Sequence, residues 1–142
     1  MIAVLKIIHF LSFSVGAGVS IANLVIGARL SKAESRTAME MGRIQGSLGK
    51  IGMFALLFVW ITGVWMFGVI YGGSFGSLGY AFQLKTISVV LLTVAILAIH
   101  IVVARARRAG GAPPEKPLAA LGVFVTAVTF FAIVFAVTAF SG

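Results

Sequence analysis

The sequence predicts an all-α integral membrane protein, a four-helix up-down bundle, and three observations predict it. Apolar residues make up 61% of the 142 residues and charged residues only 10%, against roughly half and a quarter in soluble domains. The apolar residues fall into four runs, each long enough for the roughly 20 helical residues that cross a bilayer. Nine of the eleven Lys and Arg residues lie in two short stretches between those runs. Arg29, Lys32, Arg36, Arg43 and Lys50 follow the first run, and Arg105, Arg107, Arg108 and Lys116 follow the third. The stretch from Gly72 to Gly79 carries no charge. Basic loops stay on the cytoplasmic side, so both termini are expected on the outer side of the cell (inner) membrane.

The first span is expected at about 2–30, with Lys6 and His9 near its outer end. The second is expected at 51–71, the third at 82–104 and the fourth at 118–140. Backbone groups in lipid must be paired within a segment, which makes the spans helices. Short connections between them give antiparallel neighbours. Residues 31–50 read as the longest polar loop, with Met39, Met41 and Ile44 among its charges, as suits a helical extension at the head groups. Gly110 and Gly111 mark a turn. Pro117 is placed to start the fourth helix, where its missing N–H costs nothing. The whole chain, 1–142, reads as one transmembrane domain.

Composition also excludes function classes. The net charge of +8 sits at membrane ends, where it meets anionic lipid head groups, so the bilayer and not a nucleic acid is the expected partner. There is no cysteine, which removes disulfides and thiolate metal sites. The acidic residues Glu34, Glu40 and Glu115 all lie in the loops, so no intramembrane carboxylate is present to drive a proton pump. No nucleophile–base set, phosphate loop or dinucleotide fingerprint occurs.

Three ionisable residues remain inside apolar sequence: His9, Lys85 and His100. Each is a functional candidate by its depth. His9 heads a stripe at steps of three and four: Ser12, Gly16, Ser20, Asn23 and Gly27. Small residues let a helix or a flat ligand come close. The stripe is therefore either a helix-packing seam across which His9 hydrogen-bonds, or a surface where His9 faces a planar cofactor as axial ligand or proton acceptor. Lys85 opens the third helix at the depth of His9. It either snorkels to the interface or turns inward to a carboxylate or to His9. His100 should lie roughly 15 Å deeper than His9, at the 1.5 Å rise of a helix. Two histidines on one metal need nitrogens about 4 Å apart, so they are not expected to share one. Trp60, near mid-membrane, is either a packing residue or the wall of a ring site, and Trp65 is a second possible wall. Tyr71 and Tyr80 fit an aromatic belt.

The order Leu5-Lys6-x-x-His9, Trp60-Ile61-x-Gly63-x-Trp65, then Lys85 followed by Val89-Val90-Leu91-Leu92 resembles the HemJ protoporphyrinogen oxidase family and the related CopD-like membrane proteins. The resemblance covers most of the first three helices. It implies tetrapyrrole binding and oxidation, with His9 and Lys85 as the residues concerned. The chain departs from the pattern at Phe13–Gly16 and Ala22–Val25, which hold no Pro or Arg. It departs again at Ile96 and Leu97, where histidines are expected and His100 comes one turn late.

The leading expectation is thus a protein that binds haem or another porphyrin at the outer side between the first three helices, with oxidoreductase activity implied by the resemblance. His9 would be the metal ligand or proton acceptor, Lys85 the carboxylate partner, and Trp60 or Trp65 a wall, with Gly16 and Asn23 on the stripe. The alternative is a non-catalytic accessory subunit, in a homo-oligomer or larger membrane complex, docked through Ser12, Gly16 and Ser20.

Overall fold

The computed structural model describes residues 2–30, 32–73, 79–110 and 114–140. Gly111, Pro113 and the 74–78 segment of the uncharged loop lie outside them, as does the side chain of Tyr71. The described residues form four helices and no strand: α1 Ile2–Leu30, α2 Ser35–Tyr71, α3 Tyr80–Arg108 and α4 Glu115–Phe140. All four are long and apolar enough to cross a membrane, and the chain is a multi-pass membrane protein.

Glycine and proline punctuate the helices as their backbones require. Gly72 at φ 60° and Gly73 at φ 75° follow α2, and the Gly73 N–H donates back to the Phe67 carbonyl. Only glycine enters this left-handed region without strain. Gly110, at φ 69°, does the same after α3. Pro117 lies in the first turn of α4, which begins at Glu115 rather than at 118.

The largest departure from expectation is α2. It begins at Ser35, not near Ile51, and runs 37 residues without a break, about 55 Å at 1.5 Å per residue. Most of the segment read as a polar loop is therefore the first four turns of a span. This part of α2 has a partner: the Gln45 amide donates to the Asn23 carbonyl of α1 at 3.2 Å, and Gly27 leaves room for the same amide. The C-terminal end of α1 thus lies beside the first turns of α2.

Helix α1 packs along α2, α3 along α4, and α1 also along α4, while the backbones of α2 and α3 scarcely approach. The α3/α4 interface is apolar: Leu92, Ala95, Val125 and Val128, with Leu56 of α2 against them. The α1/α2 interface is built from small residues. A side chain at Gly16 would meet Ala55, and one at Gly52 would meet Val19. Phe54, Leu57, Phe130 and Phe131 point outward and are exposed, as suits helices whose outer faces meet lipid tails.

A buried His–Lys–Thr chain as the candidate functional site

Three helices bring one polar side chain each to the same end of the bundle. His9 lies two turns into α1, Thr62 lies near the end of α2, and Lys85 lies in the second turn of α3. Because α1 and α3 run against α2, all three fall at one level. They are also among the most enclosed residues of the chain, at 4%, 3% and 7% exposure. His9 Nδ1 lies 2.8 Å from Thr62 Oγ1, and Lys85 Nζ lies 3.2 Å from His9 Nε2.

Donor counting gives these contacts a direction. The Thr62 hydroxyl donates to the Phe58 carbonyl at 2.6 Å, one turn back on its own helix. Its oxygen is therefore the acceptor for His9, and His9 donates through Nδ1–H. Nε2 is then the acceptor of the imidazole, and the Lys85 ammonium, which has donors only, donates to it. The chain runs Lys85 → His9 → Thr62 → Phe58 carbonyl. The imidazole edge between the two nitrogens faces Gly63 of α2, where an added Cβ would stand 3.5 Å from His9 Cε1. Phe13 lies tilted beside the ring, and the Phe82 ring stands 5.9 Å from the Lys85 ammonium, within cation–π range.

The other expected site residues fall elsewhere. Lys85 turns inward and does not snorkel. Gly16 and Asn23 lie farther along the α1/α2 seam, facing α2. Ser12 turns its hydroxyl back to the Ile8 carbonyl. At Gly16 and Gly27 the stripe thus packs against the chain's own second helix. The Asn23 Oδ1 atom is enclosed there without a hydrogen-bond partner. Trp60 reaches across the loose side of the bundle, its indole N–H donating to Thr93 Oγ1 at 2.9 Å. Trp65 is 52% exposed; with Trp60, Ile61 and Val64 it lines a shallow, open hollow on the membrane face of α2.

His100 is remote from this cluster. Its Nδ1 bonds the Ile96 carbonyl at 2.9 Å, and its Nε2 faces Gly49. Gly49 and Gly63 mark the levels of the two histidines on α2, and 14 residues of helix separate them by about 21 Å. No group of three or more His, Asp or Glu side chains able to hold a metal occurs among the described residues.

Sequence reasoning missed Thr62, although it occupies the variable position of Trp60-Ile61-x-Gly63. A threonine in an apolar helix satisfies itself on the preceding turn and so attracts no notice. Its spacing from Ala55, Val59 and Met66, the buried face of α2, was the available signal. Ser88 and Thr129 are buried as well, but each bonds only its own helix.

Two tests bear on a tetrapyrrole. The residue types suit its carboxylates: an ammonium is buried at the junction of three helices. They do not suit an iron on His9. A metal would stand about 2 Å from Nε2, where the Lys85 ammonium already lies, and the small-residue seam holds no slot for the ring. No protein-family model, no curated protein and no solved structure matches the chain.

Proposed function

We propose that this is a cell (inner) membrane protein, both termini outward, that binds a carboxylate-bearing tetrapyrrole, haem or porphyrin, at the outer end of the bundle. The single observation that carries the proposal is the Lys85–His9 contact. Two residues that the HemJ and CopD resemblance selects, 76 positions apart, meet in the interior of the helices. Ionisable groups at such depth are costly and ordinarily serve a function. Lys85 takes the ligand carboxylate. Trp60 and Trp65, beside the loosely packed α2/α3 side, offer the aromatic wall. Titration of the purified protein in nanodiscs with haem and with metal-free protoporphyrin tests this. Saturable binding that Lys85→Met weakens is expected; no binding to the wild type refutes it.

A second reading is favoured by a different observation. Both ring nitrogens of His9 and the Thr62 hydroxyl are engaged inside the chain, so the cluster also serves as a clamp between helices. The protein would then be a non-catalytic accessory or structural subunit, its exposed apolar faces meeting lipid or the other members of a membrane complex. Native mass spectrometry from mild detergent separates the two readings: a defined complex without pigment belongs to this one.

A further inference from the structure

We propose that His9 is a positioning residue for Lys85 and not a metal ligand. The inference deepens the tetrapyrrole reading and rests on it for the class of ligand. Three features of His9 lead to it. Nδ1–H is held by Thr62, whose own proton is spent on the Phe58 carbonyl. This leaves the imidazole one acceptor, Nε2, and that acceptor receives the Lys85 ammonium. The Cε1 edge of the ring faces Gly63 of α2 across room for about one methyl group, and the Nδ1 bond to Thr62 keeps that edge turned toward α2. The imidazole is thus a rigid bracket between α2 and α3. It fixes the height and direction of a lysine whose flexible four-carbon stem would otherwise let the ammonium wander. The group offered to an anionic ligand is the ammonium; the histidine decides where it stands. The ranking that sequence suggests, histidine as ligand and lysine as helper, is reversed.

The experiment uses the full chain in nanodiscs with three probes: haem, metal-free protoporphyrin IX and its dimethyl ester. Haem and protoporphyrin IX are expected to bind equally, because the iron has no protein ligand. The ester should bind about tenfold or more weakly, having lost a charge-assisted hydrogen bond. His9→Gln should keep both affinities, since its side chain carries an acceptor for Lys85 and a donor for Thr62. His9→Leu and Lys85→Met should erase the preference for the acid over the ester. A clear preference for haem over protoporphyrin IX that His9→Gln abolishes makes His9 an iron ligand and overturns the proposal. The ligand-free protein gives a second readout. Histidine ¹⁵N spectra, assigned with His100→Gln, should show His9 protonated at Nδ1, with a hydrogen bond at Nε2 that Lys85→Met removes. An Nε2–H tautomer overturns the proposal whatever binds. The expected spectrum, with no probe bound, supports the bracket and defeats the tetrapyrrole reading alone.

Discussion

Thr62→Val isolates the bond on which the site depends. Valine keeps the shape and removes the hydroxyl. Two things are lost: the bond from Thr62 to the Phe58 carbonyl, and the acceptor for His9 Nδ1–H, 2.8 Å away. The first loss has a built-in control. Thr129 is also buried, at 5% exposure, and bonds only the Val125 carbonyl of its own helix. Thr129→Val therefore costs the back-bond alone. The difference between the variants measures the His9 bond. A buried donor left without a partner costs about 1–3 kcal/mol, while bonds between membrane helices average about 0.6 and reach about 1.7 kcal/mol. His9 is nearly sealed from the surroundings, but the Val59 carbonyl of α2 is a second acceptor beside it, so the difference should fall inside the membrane range, about 0.6–1.7 kcal/mol. Reversible unfolding in mixed micelles, followed by tryptophan fluorescence, reads it. In a His9→Leu background the difference should vanish, closing the double-mutant cycle. Equal costs for Thr62→Val and Thr129→Val in the wild type would show that His9 does not depend on Thr62, and the direction assigned to the hydrogen-bond chain would fall with it.

Other expectations concern the rest of the bundle. At Gly52 an added Cβ stands 3.1 Å from Val19 Cγ1, and a β-branched neighbour turns poorly in a helix. Gly52→Ala should therefore destabilise in the same unfolding assay, despite the helix preference of alanine. At Gly63 the nearest atom is 3.5 Å away, an ordinary contact, so Gly63→Ala should gain up to about 1 kcal/mol. Gly16→Leu overpacks the seam against Ala55 and should cost about 1–3 kcal/mol. Trp60→Phe removes the indole bond to Thr93 and should cost about 0.6–1.7 kcal/mol, read as a lower unfolding midpoint. For topology, Tyr80→Cys should react with an impermeant maleimide added to intact cells and Lys32→Cys should not; the opposite pattern inverts the protein in the membrane.

The four spans were legible because the bilayer imposes a length and a hydropathy that no soluble context reproduces. The helical extension before the second span was legible from Met39, Met41 and Ile44, but its continuity with that span was not: Arg36, Arg43 and Lys50 suggest a break, and α2 runs through all three. The stripe from His9 to Gly27 was legible as a close-approach surface. What it approaches was not, since a glycine face suits a helix, a partner or a ring equally, and Ala55 decides. Equal depth brought His9 and Lys85 into view together, but depth says nothing of rotation about the helix axis. The 3.2 Å contact therefore had to come from the structure.

The way the two hairpins are joined gives the polar chain its weight. Lipid tails are as apolar as leucine, so membrane helices associate through close packing and hydrogen bonds and not through escape from water. The α1/α2 hairpin has the first, in Gly16 on Ala55 and Gly52 on Val19. The α3/α4 hairpin has it too, in Leu92, Ala95, Val125 and Val128. Between the hairpins α1 lies against α4, but the backbones of α2 and α3 scarcely approach, and Leu56 reaches the α3/α4 core. Between them run the Trp60–Thr93 bond and the chain from Lys85 through His9 to Thr62. The same lysine that is proposed to meet a ligand thus also ties α3 to the first hairpin. A carboxylate that binds the ammonium while it stands on Nε2 would reinforce that tie as it binds. This coupling yields a measurement. Hydrogen exchange near Thr62 in α2 and near Lys85 in α3 should rise in Lys85→Met, while the α3/α4 interface near Leu92 stays protected. Uniform exchange over both regions would mean that the polar chain does not hold the hairpins together.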